Sequence, residues 1–295
     1  MEPKSSTPKV RQVLPVRNPH RTRKGECSFH LWILICYIFQ MSGLKQLESL
    51  VREERVSGAE RQRRVMMIAE QVFVTSPFLR EANFSRFHPD DLKLLFELYD
   101  ETFFRGLLHG SLDPRQISFR LSKRMTRAGG KTTRWTYSQR QTPARYEIAV
   151  STPLLFQSFQ DPEHKVRVTG LECDSRLDGL MRVMEHEIVH LIEMLVWTDS
   201  SCSLHRFQNI AARLFGHTDH RHELLTPRDV AVVKYGIRTG SRVCFDYEGN
   251  RLEGIVNRVT KRATVLVAHP GGERYSDGVR YLKFYIPVQQ LEPVE

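Results

Sequence analysis

The 295-residue chain is 40% hydrophobic and 26% charged, an ordinary globular balance. It excludes fibrous, collagen-like and wholly disordered classes and leaves core enough for about two domains. The net charge of +10 does not by itself point to nucleic acid, because residues 1–40 hold seven Lys/Arg against two Asp/Glu, half of the excess. Cys27, Cys36, Cys173, Cys202 and Cys244 are odd in number, widely spaced and form no C-x-x-C pair. That pattern argues against a disulfide framework or an all-cysteine zinc site and favours a reducing, cytoplasmic setting.

Residues 1–28 are rich in Pro, Arg, Ser and Thr without periodicity and read as a disordered arm. The apolar run Phe29 to Phe39 has about half the length a bilayer span requires. Arg21, Arg23 and Lys24 precede it as in a signal peptide, but no A-x-A site follows. Residues 1–40 are therefore taken as a disordered or spurious extension, with Met41 as the plausible start. A helical segment is expected over 41–85, where Leu47, Leu50 and Val51 and then Val65, Met66, Ile68 and Ala69 mark one or two amphipathic helices.

A domain over 86–235 follows. His88-Pro89-Asp90-Asp91 reads as a helix start, leading into Leu94, Leu95, Leu98, Tyr99 and Phe103. Ile117–Leu121 and Tyr146–Val150 alternate as strands, with a turn at Gly129-Gly130 between them. From Asp174 to Trp197, apolar residues at Leu177, Leu180, Met181, Met184, Ile188, Leu191, Ile192 and Leu195 predict a long, largely buried helix. Phe207, Ile210, Ala211 and Leu214 mark another, closed by Gly216.

The long helix carries His186-Glu187-Ile188-Val189-His190, an HExxH pattern. Imidazoles at i and i+4 share one face and suit a Zn2+ ion, and Glu187 is placed as general base toward a water, so the chemistry indicated is metal-assisted amide hydrolysis. Two histidines and a glutamate on an apolar helix are costly to bury unless paired or metal-bound. The third ligand is sought among His205, His217, His220 and His222. His205, which opens the next helix, is favoured, with His217 as the alternative, while His220 and His222 read as exposed loop residues. Glu193, one turn past His190, is either an acceptor that orients a ligating imidazole or a surface glutamate.

Residues 96–217 resemble the SprT-like zinc metallopeptidase family, which includes a protease of DNA–protein crosslinks. The resemblance rests on Leu98-Tyr99-Asp100-Glu101-Thr102-Phe103-Phe104, Phe119-Arg120-Leu121-Ser122-Lys123-Arg124-Met125-Thr126, Ile148-Ala149-Val150-Ser151-Thr152-Pro153-Leu154-Leu155 and the zinc helix. It implies a zincin-like fold, zinc at His186 and His190, and catalysis by Glu187. The family's third histidine lies at the separation of His205 from His190 and opens a His-Gly-x-x-Phe motif. Here Arg206 replaces the glycine and Phe207 comes two residues early. If Phe207 is the equivalent phenylalanine, Ser203 occupies the ligand position.

Over 236–295 the texture changes to short alternating strands around Val243, Phe245, Tyr247, Ile255, Val259, Val265 and Val267, with turns at Glu248-Gly249-Asn250 and Pro270-Gly271-Gly272. A small all-β, SH3-like barrel is expected. Arg258, Lys261 and Arg262, with Tyr275, Tyr281, Lys283 and Phe284 nearby in sequence, offer phosphate contacts beside stacking faces, so DNA is a possible partner alongside a protein or peptide substrate. The fold class expected is thus α+β, a helix-rich zincin-like domain with a small sheet followed by the barrel. The rival is a non-catalytic nucleic-acid-binding or scaffold protein whose zinc, closed by four protein ligands, is structural.

Overall fold

The buried stripe of the HExxH helix organises the larger of two hydrophobic cores in the computed structural model, which describes residues 42–137, 143–161 and 165–294. The extension over 1–40 lies outside the described residues. The expected helices before residue 76 are α1 (42–53) and α2 (Gly58–Thr75), which bury Leu47, Leu50, Val51, Ile68 and Val72. Helix α3 (Pro89–Phe104) starts as its sequence requires. The His88 side chain accepts from the Asp90 N–H, and the Asp91 carboxylate accepts from the His88 N–H at 2.6 Å and from Ser76 Oγ at 2.6 Å. It ends at Arg105 in the left-handed region, and the short α4 (Leu107–Ser111) follows, two of its N–H groups capped by the Asp100 carboxylate.

Strands β1 (Ile117–Ser122), β2 (Gly130–Trp135) and β3 (Arg145–Ser151) form a sheet of order β1-β3-β2, with β1 parallel and β2 antiparallel to β3. β2 was not expected as a strand. Gly130 opens it rather than making a turn, and Lys131-Thr132-Thr133-Arg134 lacks an apolar alternation because the side chain it buries against α6 is the polar Thr132. Helix α5 (Thr152–Ser158) and the hairpin of β4 (Val166–Val168) and β5 (Leu171–Cys173) lead to α6 (Arg176–Val196), capped by Ser175, whose side chain accepts from the Asp178 N–H. Helix α7 (His205–Phe215) and helix α8 (Pro227–Tyr235) complete this part.

The C-terminal strands β6 (Arg242–Tyr247), β7 (Asn250–Val259), β8 (Ala263–Arg274), β9 (Arg280–Ile286) and β10 (Glu292–Pro293) make a separate antiparallel sheet, in which the last strand returns to pair with the first. Val243, Phe245, Val256, Val265 and Ile286 pack with Ala231 of α8 and Ile237 into the second core. The molecule is therefore α+β with a distinct small sheet region. The turn at Glu248-Gly249 is as expected, both residues having positive φ. The turn expected at Pro270-Gly271-Gly272 is instead an irregularity within β8, where Ala268 and Glu273 both pair with Tyr281. A Cβ at Gly272 would lie 2.3 Å from the Tyr281 carbonyl carbon, so the strands approach this closely only at a glycine. Among the described residues, no helix is long and apolar enough to cross a membrane.

Candidate metal centre

One turn of α6 separates His186 from His190, and their Nε2 atoms face each other at 3.1 Å. A tetrahedral zinc shell holds two imidazole nitrogens about 3.3 Å apart, so the pair is spaced for one ion. The wiring behind His190 fixes its proton. Ser200 Oγ donates to Glu193 Oε2 at 2.7 Å, and having one proton to give, it accepts from His190 Nδ1, also at 2.7 Å. His190 is thereby the Nδ1–H tautomer, with the Nε2 lone pair turned toward His186. Glu193 is fully buried, its other oxygen accepting from Arg206 Nε at 2.6 Å. It acts through Ser200 to orient the imidazole and is not a surface glutamate.

Burial holds the His186 imidazole well below its ordinary range, that of His190 at about 4 and that of His222 at about 3. All three rings are neutral at pH 7, the form that metal ligation requires. Glu187 is buried beside them, and desolvation raises its carboxyl to about 8 against the lowering effect of its Thr132 hydrogen bond. Thr132 Oγ1 lies 2.7 Å from Glu187 Oε2 and 2.9 Å from the Glu187 carbonyl oxygen, stapling edge strand β2 to the helix.

These groups line a cavity of about 450 Å³, whose wall includes Gly130, Lys131, Thr132, His186, Glu187, His190, Cys202 and His222. The expected imidazole pair and its neighbouring carboxylate are thus brought to one cavity, with other residues beside them. Two sets of ligand atoms lie mutually within 4.8 Å, namely His186 with His190 and Cys202, and His186 with Glu187 and His222. No protein-family model, curated protein or solved structure matches this chain.

The favoured third histidine is not brought to the pair. His205 is exposed at the first position of α7, and it is Phe207 that meets the imidazoles, its ring centroid 4.7 Å from that of His186 and 4.5 Å from that of His190. Two residues on a helix stand about 200° apart around its axis, so burying Phe207 turns His205 to solvent. The alternative, His217, is buried but committed elsewhere, its Nε2 lying 2.8 Å from Glu185 Oε2. Glu185 also accepts from Tyr99 Oη at 2.9 Å and from Arg182 Nη1 at 3.0 Å. Although burial alone would raise it, Arg182, His217 and Tyr99 hold that carboxyl below its ordinary value.

His220 and His222, read from the sequence as exposed loop residues, both line the cavity and are half-buried. The His222 ring centroid is 4.2 Å from that of His186, and its Nε2 is sealed from solvent without a hydrogen-bond partner. The loop joining α7 to α8 carries these residues back across α6. Short-range spacing gave no signal for that return. Cys202 is not among the ligands weighed from the sequence, because a lone cysteine in a Ser-rich loop has no spacing that marks it.

Proposed function

We propose that this chain is a zinc-dependent metalloendopeptidase of the SprT-like type, with a zincin-like catalytic part and an SH3-like C-terminal lobe, working in a reducing compartment such as the cytoplasm. One observation carries the reading: His186 and His190 face each other at 3.1 Å in the cavity that the Glu187 carboxyl also lines. His186 and His190 would hold the Zn2+, a Lewis acid that acidifies a water and polarises a carbonyl oxygen. Glu187, whose buried carboxyl keeps its proton up to about pH 8 in the metal-free chain, would serve as the base once a bound cation favours its ionised form, taking a proton at its carboxylate and returning it to the departing amine. Edge strand β2 supports a peptide substrate, because among the described residues no further strand pairs with its outer side, and past Gly130, whose N–H is given to His222, an extended chain can add there beside the cavity.

The C-terminal lobe supports a nucleic-acid partner. Arg258, Lys261 and Arg262 are exposed, while the ion pairs of this lobe use Arg242, Arg251 and Lys283. Arg258 shares a cavity of about 370 Å³ with Arg127 and Arg228. Of the aromatic residues near them, Tyr275 and Tyr281 are half-buried and stacked edge to face, and Phe284 packs on the second core. The phosphate contacts of the expectation are therefore better supported than the stacking faces.

The test is zinc content by plasma mass spectrometry, together with cleavage of an unstructured protein with and without single-stranded DNA. One zinc per chain and cleavage abolished by Glu187→Gln are expected. Equal activity of wild type and Glu187→Gln would reject the enzyme.

A structural zinc site remains a second reading, because four donor residues, His186, His190, Cys202 and His222, line one cavity. Four protein ligands would close the shell and leave no position for substrate. Rapid chelator exchange and binding of a peptidyl hydroxamate favour the open, catalytic site.

A further inference from the structure

The two histidines that flank His186 are held in opposite tautomers. His190 gives its Nδ1 proton to Ser200 and keeps a free Nε2 lone pair, as described above. At His222 the order is reversed, because the backbone N–H of Gly130 donates to Nδ1 at 3.3 Å. A neutral imidazole that accepts at Nδ1 carries its proton at Nε2. The unpartnered, sealed Nε2 of His222 is therefore an N–H donor and offers no lone pair to a metal.

Cys202 stands on the other side. Its sulfur and the nitrogens of His186 and His190 are mutually within 4.8 Å, whereas His222 joins only the set containing His186 and Glu187. A tetrahedral shell places a thiolate sulfur about 3.6 Å from an imidazole nitrogen, so modest closure suffices. Cys202 lies in the loop before α7, its carbonyl held by Gln208 Nε2 at 3.1 Å. Resting on the zinc-peptidase reading, we infer that Cys202 is the third protein ligand, giving a His-His-Cys centre, and that His222 stays outside the shell as a hydrogen-bond donor on the Glu187 side of the cavity.

This division leaves the fourth position open and puts an N–H beside the general base, where the oxygen of an attacked carbonyl gains negative charge. A thiolate in the shell also gives a spectroscopic handle independent of turnover, since cobalt bound by a thiolate shows an intense charge-transfer band in the near ultraviolet.

The full chain, stripped of metal and titrated with cobalt(II), should show that band together with tetrahedral ligand-field absorption. Cys202→Ser should abolish the band and weaken zinc binding by roughly a hundredfold or more, beyond the loss expected from an outer-shell partner. His222→Gln should keep the band and hold zinc affinity within about threefold of wild type. Far-ultraviolet circular dichroism of each variant checks the fold, and the wild-type spectrum needs no variant. Cobalt bound without a thiolate band would overturn the assignment while leaving the His186–His190 site standing, as would a His222→Gln loss equal to that of His190→Gln. Failure of the wild-type chain to bind either metal would overturn the zinc reading itself.

Discussion

Gly130 lies against Glu187 so closely that a Cβ on the glycine would fall 2.5 Å from Oε1 and 2.7 Å from Cγ of the carboxylate. The first residue of the edge strand thus sets where the Glu187 carboxyl rests. Gly130→Ala should push the carboxyl aside and leave the imidazole pair untouched. Zinc stoichiometry is expected to stay at one per chain, and kcat/KM to fall about a hundredfold, the scale of a 1 Å displacement at a reacting centre. Loss of zinc along with activity would show that the glycine supports the ligands instead.

Glu187 also makes the metal-free protein sensitive to alkali. Its carboxyl ionises at about 8 when folded against an ordinary 4.5. The native state therefore holds a proton that the unfolded chain has already released, and the stability gained by the neutral acid is complete below about pH 4.5 and lost as pH rises through 8. At pH 7 the difference is at most about 3 kcal/mol. Thermal melts of metal-free Glu187→Gln should exceed wild type above about pH 5, by a margin that grows up to pH 8. His190 and His222, held neutral to about 4 and 3, act in the opposite sense. Both proteins should lose stability as pH falls below about 6.5.

Ser200 connects His190 to a carboxylate at neither end of which water is needed. Ser200→Ala should free the imidazole to rotate and to exchange tautomers, weakening zinc binding by about 10–100-fold in competition with a chromophoric chelator. Glu193→Gln removes the charge but keeps an acceptor, and a smaller loss is expected. Unchanged affinity in Ser200→Ala would mean that packing against Phe207 alone holds the ring.

Glu185 tests whether His217 is structural. Removing this carboxylate leaves Arg182 with Asp178 as its one remaining ion-pair partner among the described residues and deprives Tyr99 Oη and His217 Nε2 of their acceptor, so Glu185→Ala should cost about 3 kcal/mol in urea unfolding. His217→Ala should destabilise less and leave zinc stoichiometry intact. A chain lacking zinc after that substitution would restore His217 as a ligand.

Much of this was legible along the chain. The stripe from Leu177 to Leu195 fixed the long helix to within two residues of its ends, and the i, i+4 spacing brought His186 and His190 together because one turn of helix is a local constraint. What else joins the imidazole pair was not legible, since it depends on how loops return. The amphipathic pattern of α7 did contain the answer in part. Phe207 belongs to its apolar face with Ile210, Ala211 and Leu214, which already excludes His205 from the side facing α6. β2 escaped notice because the face it turns to the cavity is made of glycine and threonine, and His222 because its burial comes from a loop with no periodicity at all.

Arg127 lines both the cavity of the imidazole pair and the cavity that holds Arg258 of the C-terminal sheet. Under the peptidase reading, a macromolecule gripped at Arg258 would be held in a cavity that shares this arginine with the one where its cargo is cut. Such an arrangement would choose by anchorage, so selection would fall on whatever is carried within reach of the tether.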